Sequence, residues 1–509
     1  MHRHITLFSI ALLACFCAIP AISQTGTPPG IFEGHNDIGA VLHPGSAQYD
    51  AARHTYTVVG SGENMWGGAD EFHFVWKKAG GDVSLAADIA FTGTAGDPHR
   101  KGVLMIRQSL DPDSAYVDAA RHADGLISIQ ARDQKGGITH EVQSYVKAPK
   151  RLRIEKHGNA FFLFAGQGEN VDMAGGGMQL ALEEPFYVGL GVCAHEKDST
   201  EKIAFSNVEM TSDIRSAAQR PVPYSTIEVV RLAAATDRRA AFVATERLES
   251  PTWSRDGQTI FFNRNHRIER VPSAGGRAEA LDAGTAIRSV GGKGVSPDGT
   301  LLAFSDDSRQ RGHPAIFVAP VAGGAPRRVT ANTPAVFHGW SPDGQTIVFS
   351  AERVGQADIY TIPAAGGAEK RLTNGQGHNE NPEYSSDGAA IYFNSDRRGS
   401  VQIWRMRADG SDPEQLTSGD FNNWFPHPSP DGQLLLFISY DKNVKGQPQN
   451  ADATLRLLNL ADRSIRVLAK LIGGAGSLDA PCWSPDSRQV AFVSYQLVPA
   501  FPSIPPVSR

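Results

Sequence analysis

Cysteine is scarce in this 509-residue chain, with four copies at 15, 17, 193 and 482. The first two lie in an apolar leader and the other two are far apart, so no disulfide framework or cysteine metal site is expected. Cys193 and Cys482 read as small buried hydrophobes. An excess of one charge is also missing. A formal net charge of -5 without long like-charge blocks gives no footprint for nucleic acid or for an anionic membrane surface. After the leader, no apolar run is long enough to span a bilayer. The chain has no GxSxG nucleophile elbow, no HExxH and no P-loop, which removes the usual signatures of serine hydrolases, zinc proteases and nucleotide-binding enzymes. What is present is an ordinary globular composition, 41% apolar and 20% charged, on a chain too long for one core, so at least two domains are expected.

The N-terminus, MHRHITLFSIALLACFCAIPAISQ, has a basic start, an apolar stretch and small residues before Ser23. It reads as a signal peptide over 1–23, giving a periplasmic or secreted product with no transmembrane span in the mature chain. A second reading takes LLAC, residues 12–15, as a lipobox with Cys15 acylated, although the residues after it stay apolar.

The C-terminal half repeats itself. WSRDG (253–257), VSPDG (295–299), WSPDG (340–344), YSSDG (384–388), PSPDG (428–432) and WSPDS (483–487) are six copies of one pattern. All but the last interval between their aspartates are 42 to 45 residues, the length of a four-stranded propeller blade. Phe262, Phe304, Phe349, Phe393, Phe437 and Phe492 follow at a fixed offset, each two positions after an Ile, Leu or Val. Apolar residues two apart share one strand face, so each motif introduces a strand with a buried side. Proline presets the first corner of a turn, aspartate accepts from the backbone ahead, and glycine supplies the positive φ of a hairpin. The motif is therefore read as a turn, and no catalytic residue is assigned to it.

After the sixth motif only VAFVS (492-centred, 490–494) remains before the proline-rich tail 498–509, so that blade lacks its outer strands. IEVVRL (227–232) and AAFVAT (240–245), ahead of the first motif, are expected to supply them and close the ring. This run of motifs with two-ended closure resembles the TolB-like six-bladed β-propeller, built of PD40 repeats similar to WD40, here over 226–497. The resemblance implies an interaction platform; some related propellers are substrate gates, and some are sugar-acid lyases whose imidazoles ligate a metal.

Between the leader and a linker at 216–225 (SAAQRPVPYS), residues 24–215 hold short strand-like segments separated by turn residues, the pattern of a two-sheet sandwich. The order and wording of NDIGAVLHPGSAQYD, FHFVW, KGVLMIRQSL, RLRIEKHGNAFFLF and FYVGLGVCAHE resemble the concanavalin A-like lectin and glucanase domain. The expected architecture is all-β, a concanavalin A-like β-sandwich followed by a six-bladed propeller. The resemblance implies a carbohydrate-binding accessory. Trp66, His73 and Trp76 could then form a stacking platform for a glycan, although alternation sends Phe74 and Trp76 to one face and His73 to the other. Glu33 and Asp37 near Asn36 offer too few carboxylates for a calcium site and read as loop solvation.

In a propeller the segments just ahead of the motifs rim the central channel. His338, His378, Asn379, Glu380, Asn381, Trp424, His427 and Asp479 stand there, with Lys293 as a further rim partner. Convergent polar and aromatic groups in a concave mouth suit a protein or saccharide ligand. The leading expectation is a non-catalytic binding protein with no cofactor or metal. The alternative is a carbohydrate-active lyase or hydrolase, which would need His338, His378 and His427 to meet in one cavity.

Overall fold

A computed structural model describes residues 30–212, 222–283, 287–353 and 355–498. The leader with Cys15, most of the expected linker 216–225 and nearly all of the tail lie outside the described residues. Within them the protein is all-β, with a single 3-10 turn at Ala475–Ser477.

Two large sheets, of ten and eight strands, hold the N-terminal part. Strand Lys101–Arg107 illustrates why they stack. Leu104 and Ile106 point into a core shared with Leu85, Ile89, Ile154 and Leu163 of the other sheet, while Val103 and Met105 pack with Phe72 and Phe74 on the opposite side. Two facing sheets with one core between them are thus observed. Nothing in their geometry adds independent support for a concanavalin A-like kinship.

Five four-stranded antiparallel sheets follow, with inner strands Leu248–Trp253, Ser289–Val295, Ala335–Trp340, Asn379–Tyr384 and Phe421–Pro428. The expectation of a six-bladed ring, its last blade completed by strands from both flanks, is corrected to five blades that are sheets of their own. The sixth set of strands is not a separate sheet. Gln489–Val498 pairs with Val222–Arg231 in an unbroken register from Val222↔Val498 to Arg231↔Gln489, placing IEVVRL beside VAFVS. Val222–Arg231 pairs in turn with Ala234–Ala244. That strand does not end the set, because Thr139–Gln143 of the sandwich sheet joins its edge in parallel, with Gln143 opposite Arg239. The sandwich thereby covers an edge that would otherwise present unpaired backbone groups. The innermost member is reduced to one bridge, Trp483↔Val490, with the Ala491 N–H donating to the Cys482 carbonyl at 2.9 Å.

Each motif makes the same turn. The serine hydroxyl donates to the aspartate Oδ1 at 2.5–2.6 Å in all six copies, and that oxygen accepts the N–H two residues on at 3.0 Å. Gly257, Gly299, Gly344, Gly388 and Gly432 have φ of 71–76°, and Ser487 adopts 61° in their place. Five of the aspartates, Asp256, Asp298, Asp343, Asp387 and Asp486, are held below the usual carboxylate range, first of all by the serine hydroxyl. The motif tryptophans act between sheets: Trp253, Trp340 and Trp483 donate from Nε1 to the carbonyls of Cys482, Gly294 and His427, each at 2.9 Å. Because Trp253 of the first blade reaches Cys482, the hydrogen-bond chain links the first blade to the last strand set.

The Ser341 hydroxyl both donates to Asp343 and accepts from the Thr346 N–H at 2.9 Å. Replacing it (Ser341→Ala) is expected to lower unfolding stability by about 1–2 kcal/mol, since the Thr346 N–H loses its acceptor and Asp343 loses one of its two donors. Chemical denaturation of the variant against the parent chain measures this, and an unchanged midpoint would mean the turn does not need the hydroxyl.

Candidate functional site

The inner strands carry a shared irregularity. Their pairing with the next strand slips between Glu249 and Thr252, Ser289 and Lys293, Phe337 and Gly339, Glu380 and Glu383, and Trp424 and His427. Ser250, Gly291, Asn381 and Phe425 take positive φ there, at 55–64°. A bulge of this kind bends the strand and re-aims the side chains on either side of it.

At the motif end lies a cavity of about 280 Å³, walled by Trp253, Trp340, Trp483 and the motif prolines, with Glu383 and Arg255 as its charged lining residues. Arg255 is already engaged, donating to the carbonyls of Ser296 at 3.1 Å and Val295 at 2.9 Å. Glu383 meets His427: Oε2 lies 2.5 Å from Nδ1, while Nε2 is 2.6 Å from the Leu478 carbonyl. A carbonyl can only accept, so Nε2 carries a proton, and a further proton sits between Nδ1 and the carboxylate. Burial pushes the Glu383 carboxyl up, against the pull of His427. His338 lies buried on the neighbouring inner strand, makes no hydrogen bond among the described residues, and is driven down to about 3 by burial and then by the charge of His427.

A second buried group lies outside this cavity's lining: Lys293 is wholly buried and donates from Nζ to the Ser250 carbonyl at 2.8 Å. Burial lowers its pKa and raises that of Asp479, and each partially offsets the shift of the other. Asp479 Oδ1 and the Tyr440 hydroxyl are buried without partners among the described residues.

The remaining mouth candidates do not join either group. His378 is exposed, and its backbone N–H donates to Asp396 at 2.7 Å. Asn379 is buried in a network with Asp358 at 3.1 Å and Arg397 at 2.6 Å. Asn381 donates to Asn394 at 2.7 Å. Glu380 is half-buried and raised by that burial. Trp424 packs into a core with Phe425 and Leu436. His338 and His427 are therefore neighbours, whereas His378 stands apart, and no group of three His, Cys, Asp or Glu among the described residues is placed to hold a metal.

In the sandwich, His73 is 1% exposed and is bound to Asp37 at 2.7 Å and His35 at 3.0 Å. Trp76 donates to Asn36 at 2.6 Å and stands edge-on to Tyr187. Trp66 is half-buried. The oxygens of Asn36 and Asp37 thus serve the fold. Sequence reasoning missed a row of polar residues across four adjacent strands of the ten-stranded sheet. Lys101 reaches Gln130 at 3.4 Å, Gln130 reaches Glu141 at 2.9 Å, and Asp118 lies between with neither oxygen partnered among the described residues. Burial pushes Asp118 up to about 8 and the nearby His122 down to about 3. The signal was a polar residue at alternate positions in ISIQAR and THEVQ, with Lys101 and Asp118 standing singly in the two strands before them.

Antiparallel four-stranded sheets whose inner strands frame a central cavity define the class: this is an all-β protein with a β-propeller. A profile of the TolB beta propeller domain matches residues 295–496. An uncharacterized protein of Agrobacterium fabrum is 40% identical over 258 residues, half of this chain and 88% of that protein. The solved structure of an Agrobacterium tumefaciens protein provisionally assigned as TolB, also 40% identical, superposes with a TM-score of 0.52 and covers 54% of this chain and 99% of that one. A Chlorobaculum tepidum protein named as a TolB homolog is 32% identical over 83 residues, 19% of its own length. The chain belongs to the TolB β-propeller family.

Two buried neutral histidines give a pH signature. With His338 and His122 each lowered from 6.5 to about 3, the unfolded chain takes up protons that the folded one refuses between those values, so stability falls as pH drops through that window. The slope is at most about 1.4 kcal/mol per pH unit for each histidine. Denaturation at pH 7, 6, 5 and 4 should show it, with a shallower slope in His338→Gln. Equal slopes in the two proteins would contradict the assignment.

Proposed function

We propose that this chain is a non-catalytic binding protein whose propeller takes a basic segment of a partner protein into its motif-side mouth. The observation that carries the reading is the cavity itself: about 280 Å³, walled by indole and proline rings, with Glu383, paired through Oε2 to His427, and Arg255, whose guanidinium donates to two carbonyls, as its charged lining residues. Around it the six motif turns contribute Asp256, Asp298, Asp343, Asp387, Asp431 and Asp486, so the approach is electronegative. Aromatic walls and a carboxylate suit a lysine or arginine side chain. The family membership supports an interaction role without naming a partner.

In this reading the strands 222–244 and 489–498 serve as a sixth blade, with domain limits at 24–215 and 226–497. The leader 1–23 exports the chain to the periplasm or beyond, as a free protein or anchored through Cys15. The sandwich, if concanavalin A-like as its sequence wording suggests, adds a glycan-binding accessory. A lyase or hydrolase at the propeller mouth is the weaker reading, because His427 has both ring nitrogens engaged and His378 stands outside the cavity.

Titrating the full chain with short synthetic peptides tests the proposal, read by intrinsic fluorescence, since three tryptophans line the mouth. Lysine- and arginine-rich peptides are expected to bind, to weaken as salt is raised, and to lose about tenfold in affinity, about 1.4 kcal/mol, in Glu383→Gln. Equal response to acidic peptides, or response to neutral oligosaccharides alone, would overturn it.

A further inference from the structure

Where the sandwich sheet runs into the last propeller strands, four strands bring polar side chains to one face. Gln143 stands opposite Arg239, Arg239 opposite Val229, and Val229 opposite Ala491. Arg231, two residues beyond Val229 and therefore on the same face, stands opposite Gln489. A cavity of about 40 Å³ opens among Gln143, Val229, Arg231, Arg238, Arg239 and Gln489. That volume suits one small polar group and nothing as large as a ring.

The charges lining it are unbalanced. Arg238 is neutralised by a forked pair with Glu228, at 2.6 and 2.7 Å. Arg239 has no such partner: Nη2 donates to the Ser273 carbonyl at 2.6 Å, and Nη1 is buried with no partner among the described residues. Arg231 is exposed and makes no ion pair among the described residues. Burial, and then the like charge of Arg231, press the Arg239 guanidinium down from its ordinary value. Gln143 donates one amide hydrogen to Glu141 at 2.8 Å, which leaves two guanidinium groups facing one small space beside Gln489 and the second amide hydrogen of Gln143, a donor set that outnumbers its acceptors.

We propose that this seam is a binding site for a small oxyanion, a carboxylate or a phosphate group, held by Arg231 and Arg239 with Gln143 and Gln489. Guanidinium forks match the paired oxygens of such anions, and a filled site would satisfy Arg239 Nη1 while relieving its repulsion with Arg231. The anion would also tie together residues from both halves of the chain, since Gln143 comes from the sandwich and the others from the propeller. This site is independent of the motif-side cavity.

The test is calorimetric titration of the full chain with sodium phosphate in one arm and sodium acetate in the other, at constant ionic strength set with sodium chloride. Binding at millimolar concentration or tighter is expected. A response to phosphate supports a free or headgroup phosphate, and a response confined to acetate supports a carboxylate. Arg239→Gln should weaken binding at least tenfold. Arg231→Gln, at an exposed position where folding is not at issue, should do the same. No binding of either anion beyond the chloride control, or an unchanged affinity in Arg231→Gln, would overturn the proposal.

Discussion

The antiparallel ladder between Val222–Arg231 and Gln489–Val498 is the contact on which the propeller rests, because it ties together strands more than 250 residues apart in sequence. Each blade buries little on its own. The fixed-offset phenylalanines, from Phe262 to Phe492, are at most 1% exposed because neighbouring blades press on both faces of each sheet. A ring that failed to close would open the last of those faces and leave a raw strand edge. The ladder prevents this from inside the propeller, and Thr139–Gln143 covers the outer edge from the sandwich. The two parts of the chain therefore share one sheet.

With the ring fixed, the bulges decide what the channel presents. A regular inner strand would alternate, sending every second residue inward along its whole length. The slip before Glu383 and His427 instead lets the carboxylate and imidazole from adjacent blades meet at the motif end. Lys293 and Asp479 form a second buried pair, whose mutual attraction compensates part of their burial. The ring thus carries two chemically different buried groups, one acidic and aromatic, the other built on a lysine and an aspartate.

Much of this was legible in the sequence. The serine, aspartate and glycine of the motif specify a turn by local hydrogen bonding, and the phenylalanine register specifies the strand after it; both depend only on near neighbours. Pairing of IEVVRL with VAFVS was legible because a blade short of strands at one end of a repeat needs them from the other. The sixth blade failed as a sheet of its own because nothing in the sequence says that Thr139–Gln143 will add to an edge whose paired residues lie 96 positions later. The site was legible only in part. Glu383 passed unnoticed, since as the residue just before a motif it looked like any strand position, and Trp424 was misplaced because the positive φ of Phe425 cannot be read from residue types. The row Lys101, Asp118, Gln130 and Glu141 depends on lateral register among four strands, which is a tertiary property.

The central claim is that closure by strands from both flanks holds the propeller together. Hydrogen exchange of the backbone amides in Val222–Arg231 tests it most directly, measured in the full chain and in a chain ending at Arg488, which lacks Gln489–Val498. The account predicts protection equal to that of the blade cores in the full chain, and loss of protection there and in the first and fifth blades after truncation. Fast exchange of these amides in the full chain, or unchanged blade protection after truncation, would contradict it.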